Sequence, residues 1–470
     1  MPSSVVFVVT GSGQGHVHPC MELCRHLGSR DYHTTLVVPS SLSSAIPSSF
    51  SSHPFVSIAQ ITVPAGPPMP PSGPVAHQQA HQDLLAHLSA HSCDPSLPPA
   101  LCAIVDFQLG WTKECFGKFQ IPVISFFTFG ACAAAMELGA WRAQASDLGP
   151  GESRPIVGLP EEMAVTYWDL KRKPMGPPRG SGAVSGGKHP GGPPRPGDMP
   201  PWVPQVEGPV GMMFNTCDDL ERPFLEYMEA QMGMPAWGVG PLLPEQYWRS
   251  SDSLVRDGAV RQHTRHSNYS EEEVIQWLDR KPQRSVLYVA FGSEVGPAVE
   301  EYPELVAALE ESSHPFIWAV QSKPGQPRYF PEGLDARVGD RGLVIDGWAP
   351  QLLILSHPST GGFLSHCGWN STAEAVGLGV PLLAWPIRGD QHYNAKLVVS
   401  HLRVGHRVAD DLSENVKKGD ILRGIEKLMG DEEAHGRAAR LKARFAGGFP
   451  ASSAAALDAF QGYVISQKKG

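Results

Sequence analysis

Apolar residues in this chain of 470 fall into short unbroken runs, separated by stretches of helical periodicity. SVVFVVT (4–10) is β-branched and reads as a first strand. A glycine-rich loop, GSGQGHVHPC (11–20), and a helical pattern, CMELCRHLGSR (20–30), follow it. TTLVVPS (34–40) and VSIAQITV (56–63) read as the second and third strands. ALCAIVDF (100–107) and PVISFFTF (122–129) are continuous apolar runs, the pattern of parallel strands buried on both faces. AAAMELGAWRAQ (133–144) predicts a helix. A second series begins at SVLYVAFGS (285–293) and passes a helical pattern, YPELVAALEESS, and the strand PFIWAV. It continues through LVIDGWAP (343–350), the segment GGFLSHCGWNSTAEAVGLG (361–379) and the strand-like VPLLAWP (380–386). The β-α-β alternation predicts an α/β protein with doubly wound parallel sheets.

Two series imply two domains, and 470 residues suffice for two cores. The reading places an N-terminal domain at 1–242, a polar linker without periodicity at 243–270 and a C-terminal domain at 271–450. The last stretch, 451–470, predicts a helix that packs back on the first domain. Residues 174–204 are rich in proline and glycine and form no regular element; they read as a surface loop or a lip over a ligand pocket.

Composition narrows the class. The chain is 41% hydrophobic and 18% charged, ordinary for a globular protein. A formal net charge of −9 with no Lys/Arg cluster argues against a nucleic-acid partner. The N-terminus lacks a basic region before its apolar run, so it reads as a strand and not a signal peptide. No apolar stretch reaches the roughly 18 residues of a membrane span. The eight cysteines are scattered without a CxxC pair, which predicts reduced, buried thiols in a cytoplasmic protein.

The candidate chemistry lies at strand ends. His16 closes the loop after the first strand, and a neutral imidazole there can take a proton near pH 7. Asp106 ends the strand ALCAIVD and can fix the tautomer of such a histidine. In the second half, Trp348 offers a flat apolar face for stacking. His366, Asn370 and Ser371 sit where a glycine-rich turn enters a helix that starts near Asn370, a place suited to phosphate. Glu374 lies one turn further on; Asp390 and Gln391 follow a strand and suit vicinal hydroxyls. Competing motifs are weaker. The run Gly11-Ser-Gly13-Gln-Gly15-His16 has histidine where a dinucleotide fingerprint needs its third glycine. His16/His18, His77/His81 and His87/His91 lack a carboxylate or thiolate partner at ligand spacing, so no metal is expected.

From Trp348 to Gln391 the sequence resembles, from end to end, the sugar-nucleotide signature box of plant UDP-dependent secondary-metabolite glycosyltransferases of family 1. The resemblance is carried by Trp348-Ala-Pro-Gln351, His357, HCGWNS (366–371), Glu374, Gly379-Val-Pro381, Trp385-Pro386 and Asp390-Gln391. It implies a GT-B fold of two Rossmann-like domains facing a cleft, with acceptor bound by the first and UDP-sugar by the second. It implies a UDP-sugar site made of Ser293, Trp348, Ala349, Gln351, His366, Gly368, Trp369, Asn370, Ser371, Glu374, Asp390 and Gln391. GQGH after the first strand and an Asp closing a later strand match the family's base, His16, and its partner, Asp106. The implied reaction is an inverting, metal-independent transfer with no cofactor beyond the donor, by an enzyme expected to be a monomer. In the family, Gln at the box's last position goes with glucose, so Gln391 points to UDP-glucose. The aromatic and small residues of PVISFFTFGACAAAMELG suit a flat apolar acceptor, a flavonoid or other phenolic first and a terpenoid or steroid next. O-transfer and C-transfer to an electron-rich ring carbon both stay open. A Rossmann-type NAD(P)-dependent oxidoreductase and an inactive UDP-sugar-binding protein are the alternatives from other classes.

Overall fold

The structure, a computed structural model, describes residues 4–63, 77–173, 195–244, 247–248, 266–321 and 329–468. Two parallel sheets organise it. The first has seven strands, β1 (Ser4–Val9), β2 (Tyr32–Pro39), β3 (Val56–Ile61), β4 (Ala100–Asp106), β5 (Val123–Phe127), β8 (Gly211–Phe214) and β9 (Ala236–Gly238), in the order β3-β2-β1-β4-β5-β8-β9. Between them in sequence, β6 (Ser153–Arg154) and β7 (Val165–Thr166) form a separate antiparallel pair. The second sheet has six strands, β10 (Val286–Ala290), β11 (Phe316–Val320), β12 (Gly342–Asp346), β13 (Thr360–Ser365), β14 (Leu382–Ala384) and β15 (Gly405–Arg407), in the order β12-β11-β10-β13-β14-β15. Both chains of pairing start at the middle, run outward one way, and then return to the middle and run outward the other way. That order defines a switch point between β1 and β4 in one sheet and between β10 and β13 in the other, where doubly wound sheets bind ligands.

Strand β1 shows why the apolar runs are unbroken. Val6 and Val8 pack with the helices Gln14–Gly28 and Ala451–Lys468, through Leu23, Leu27, Leu457 and Phe460. Val5, Phe7 and Val9 face the opposite side and pack with Leu84 and Leu88 of the helix Gln78–Cys93. Alternate residues therefore enter two cores, and each such side chain contributes about 1.5–3 kcal/mol by burial. In β10, Leu287 and Val289 likewise pack with Leu305 and Leu309 of the helix Tyr302–Glu311.

The contacts divide the chain into two compact units. One comprises Met1–Cys132, Pro201–Asp252 and Arg444–Gly470; the other comprises Ala133–Pro200 and Ser253–Ala443. The sequence reading kept 133–200 with the first domain, and the structure groups it with the second. A buried ion cluster is one of the ties. Asp169 accepts from Lys396 Nζ at 2.5 Å and from Arg407 Nη2 at 2.8 Å, and Asp169 and Lys396 are almost fully buried. Burial alone would raise the Asp169 carboxyl, but Lys396 and Arg407 outweigh it and hold it down at about 2. Residues 174–194 of the proline/glycine segment, and 245–246 and 249–265 of the expected linker, lie outside the described residues. All eight cysteines are free thiols, seven buried and Cys93 exposed. Among the described residues, no helix is long and apolar enough to cross a membrane.

Candidate active site

In the first unit, the site is built at the β1/β4 switch point. The loop after β1 is shorter than the glycine-rich sequence suggested. Gly13 takes a φ of 101°, and the helix begins at Gln14 with Pro19 inside it. Pro19 forfeits one helical hydrogen bond, and its ring faces the carbonyl of Gly15, where no side chain adds to the crowding. His16 is thus held in the first helical turn and not in a loop.

Asp106, the last residue of β4, is fully buried. Its Oδ2 accepts from Gly11 N at 3.2 Å and its Oδ1 from Gln108 N at 3.0 Å. A Cβ on Gly11 would meet Asp106 Oδ2 at 2.9 Å and Gln108 Oε1 at 2.8 Å, so glycine is required there by close approach. His16 Nδ1 lies 2.6 Å from Asp106 Oδ2. A proton between that nitrogen and the carboxylate places the lone pair on Nε2. The His16 side chain keeps 18% exposure, enough to meet a substrate. Thr128, just past β5, sets its hydroxyl 3.1 Å from the same Nδ1. The ring of Phe107 lies 6.4 Å from the imidazole, stacks on Phe127 at 5.2 Å and meets Phe129 edge-on at 5.5 Å. Phe107 and Phe129 are half-buried and form an apolar aromatic corner beside the base.

In the second unit, the β10/β13 switch point gathers the other candidates. Phe291-Gly292-Ser293 follows β10, and His366 follows β13, with Ala290 and Ser365 in register. Gly292 has a φ of 70°, and a Cβ there would meet His366 Nε2 at 2.9 Å. A Cβ on Gly368 would meet the same atom at 2.5 Å, so the two glycines form a slot for the imidazole. Cys367 turns the chain through a φ of 60°, and the helix Trp369–Leu378 starts after Gly368 with no side-chain cap. An uncapped helix start of this kind suits an anion, with Asn370 and Ser371 in the first turn. Ala349 and Trp369 are buried, so backbone is what they offer.

Gln351, Ser371 and Glu374 are joined directly. Gln351 Nε2 donates to Glu374 Oε2 at 2.6 Å and to Ser371 Oγ at 3.1 Å, and Tyr288 OH donates to Gln351 Oε1 at 3.3 Å. Trp348 follows β12 through Gly347, whose φ is 98°, and remains partly exposed. After β14, Asp390 Oδ2 accepts from Asn394 Nδ2 at 2.7 Å, and Asn394 Nδ2 also donates to Cys367 O at 2.9 Å. Gln391 has a second duty: its Oε1 accepts from Ile387 N and Arg388 N, each at 3.0 Å, so its amide oxygen clamps the loop and Nε2 is the end left to donate. His357 is buried and lies 3.2 Å from Asp279, a tie between helices and not part of the site.

Sequence reasoning missed Thr128, Tyr288 and Asn394. Thr128 had a usable signal, its place at the end of a strand read as buried; Tyr288 and Asn394 had none. Of the helical histidines, His87 Nε2 lies 3.0 Å from Gln60 O and His77 stacks on Trp111 at 4.7 Å. Among the described residues, no group of three or more His, Cys, Asp or Glu side chains is arranged to hold a metal ion.

Comparison with known proteins gives the same direction. Residues 257–442 match the family model described as UDP-glucoronosyl and UDP-glucosyl transferase. The scopoletin glucosyltransferase of Nicotiana tabacum is 34% identical over 353 residues, covering 73% of this chain and 69% of that protein. The UDP-glucose flavonoid 3-O-glucosyltransferase 7 of Fragaria ananassa is 30% identical over 356 residues, with coverage of 73% and 69%. The structure of a UDP-glucosyltransferase from Polygonum tinctorium capable of glucosylating indoxyl superposes with a TM-score of 0.73 over 98% of this chain and 99% of that one, at 25% identity. With its two doubly wound sheets, its signature box and these relatives, the chain belongs to the plant UDP-glycosyltransferases, enzymes of the GT-B fold.

Proposed function

We propose that this enzyme transfers glucose from UDP-glucose to a hydroxyl of a flat phenolic acceptor, with inversion at the anomeric carbon and His16 as general base. The observation that carries the reading is the pair His16–Asp106 at 2.6 Å, with the carboxylate fully buried and fixed by two backbone amides. His16 Nε2 takes the acceptor proton as the oxygen attacks C1. The bond from C1 to the phosphate oxygen breaks, and its electron pair leaves with UDP. Asp106 stabilises the imidazolium that results; a positioned base of this kind contributes roughly 10²–10⁴ in rate.

The second sheet supports the donor half of the reading. Trp348 offers a face to the uracil ring, and the Glu374 carboxylate, already ordered by Gln351, suits the ribose hydroxyls. His366, Ser293, Ser371 and the open helix start suit the diphosphate, whose charge they would meet without a metal. Asp390 and the Gln391 amide suit the sugar hydroxyls. The aromatic corner of Phe107 and Phe129 favours a planar acceptor, in keeping with the scopoletin, flavonoid and indoxyl named for the relatives.

The test is a mass-spectrometric turnover assay in EDTA, with UDP-glucose and a panel of phenolic and terpenoid acceptors. A hexose-shifted phenolic product whose sugar is released by acid supports the reading. A sugar that resists acid would move the assignment to ring carbon. In the same assay His16→Ala should fall by at least about 100-fold, and near-normal turnover would remove His16 as the base.

A further inference from the structure

We propose that Arg388 binds the diphosphate of the donor, and that Glu294 holds its guanidinium until the donor arrives. The proposal rests on the donor reading of the second sheet. Arg388 lies in the loop between β14 and Asp390, and Glu294 directly follows Ser293 in the loop after β10. Arg388 Nη2 donates to Glu294 Oε2 at 2.7 Å. In the sheet, β10 and β14 lie on either side of β13. The ion pair therefore spans two strand spacings, about 10 Å, from the loop next to Ser293 to the loop that carries Asp390 and Gln391. Between its ends, β13 leads into His366 and the open start of the helix Trp369–Leu378.

A pair this exposed, 32% at Arg388 and 51% at Glu294, contributes little to stability. Its position gives it another use. Hydroxyls, amide N–H groups and the His366 ring meet a diphosphate with partial charges, whereas a guanidinium brings a full one and fits phosphate oxygens with two parallel N–H groups. The backbone of Arg388 is fixed, because its N–H donates to Gln391 Oε1 at 3.0 Å. The side chain is the part free to turn. Glu294, half in water, is free to swing out, and it must do so, since a carboxylate beside a diphosphate is repelled. The exchange keeps the guanidinium partnered in both states. It also makes Glu294 a competitor of the donor, so the two residues have opposite effects on affinity.

The experiment is calorimetric titration of UDP and of uridine into the whole enzyme, wild type, Arg388→Met and Glu294→Gln, at low and high salt. Arg388→Met should weaken UDP by about 10-fold or more, the scale of a charge-assisted hydrogen bond, and leave uridine unchanged. Glu294→Gln should tighten UDP several-fold, more so at low salt. Should Arg388→Met fail to fold, Arg388→Lys keeps the charge without the fork, and a loss of UDP relative to uridine reads the same contact. UDP affinity in Arg388→Met within about twofold of wild type overturns the proposal. So does a loss of UDP affinity in both variants, which would make the pair a strap between loops. A wild-type enzyme that binds neither UDP nor uridine would instead overturn the donor reading, and the proposal with it.

Discussion

Two buried acids in each unit are held by different means. In the first, Asp106 rests on the amides of Gly11 and Gln108, and Glu221 rests on the amides of Ala131 and Cys132 at 2.8 and 3.0 Å. In the second, Glu374 rests on the Gln351 side chain, and Asp169 on Lys396, Arg407 and Thr166. At Glu221 burial outweighs the hydrogen bonds that reach the carboxylate and favours its protonated form. Cations hold a buried carboxylate ionised. Glu221 and Asp169 show both outcomes: burial pushes Glu221 up to about 7, and the cations hold Asp169 at about 2. The first arrangement leaves a proton within reach of neutral pH at Glu221; the second locks a charge in place at Asp169.

The comparison breaks most sharply at Asp106. In Asp106→Asn the new amide can donate to His16 Nδ1, which moves the ring proton to Nε2 and removes the proposed base. The expected loss is about 10³–10⁴ in kcat, as for other histidine bases robbed of their carboxylate. UDP affinity, a property of the other unit, should stay within about twofold. Equal losses in turnover and UDP affinity would show that the two sites are not separable in this way.

The acids also predict opposite responses to pH. Glu221 has a folded value of about 7 against 4.5 for an ordinary glutamate. The folded state binds the extra proton between those values, so this group's contribution falls as pH rises from about 4.5 to about 7. Asp169 has a folded value of about 2 against 3.8. Its contribution is present above 3.8 and is lost as pH falls toward 2. Thermal melts from pH 4.5 to 7.5 should therefore show Glu221→Gln gaining on wild type as pH rises, by an amount on the order of a few kcal/mol. Curves that stay parallel would remove burial as what sets the Glu221 proton.

Legibility in the sequence follows the same divide. The proposed donor residues lie within 44 consecutive positions plus Ser293, because the loops after β12, β13 and β14 follow one another closely in the chain and only the loop after β10 stands apart. His16, Asp106 and Thr128 meet only through the sheet; His16 is 90 positions from Asp106 and 112 from Thr128. Strand ends located His16 and Asp106, since a parallel strand's C-terminal edge is readable from its apolar run. Thr128 sits at such an edge too, but a hydroxyl there has many uses and the sequence does not say which. The ties of 133–200 to the second unit were not legible. One is Asp169 reaching Lys396, which lies 227 positions away, and no local pattern encodes that pairing. The helix start at Gln14 was missed because Pro19 reads as a breaker.

Gln391 sharpens the comparison inside the donor half. Its amide oxygen is occupied by two backbone N–H groups, so Gln391→His removes a loop clamp as well as the proposed donor to the sugar. Initial rates with UDP-glucose and UDP-galactose should both fall, by about 10-fold for the loss of two buried hydrogen bonds, with UDP-glucose falling at least as far. A variant that gains UDP-galactose turnover outright would show that Oε1 is dispensable to the loop and that specificity alone resides at this position.

Thr128 tests how far the first site depends on its carboxylate. Nδ1 carries one proton, and the Asp106 oxygen at 2.6 Å takes it in preference to the Thr128 hydroxyl at 3.1 Å. The hydroxyl is left a weaker, shared hydrogen bond from the same N–H. Thr128→Val keeps the side chain's shape and removes that bond, so kcat should fall by roughly 3- to 10-fold, the scale of one neutral hydrogen bond, and Thr128→Ser should restore it. The pH at which the base titrates should not move, because Asp106 still faces the imidazole. A loss as large as that of Asp106→Asn, or a displaced pH profile, would mean that the hydroxyl takes part in setting the tautomer. The contrast between the two units would then rest on a three-membered relay and not on a carboxylate fixed by backbone amides.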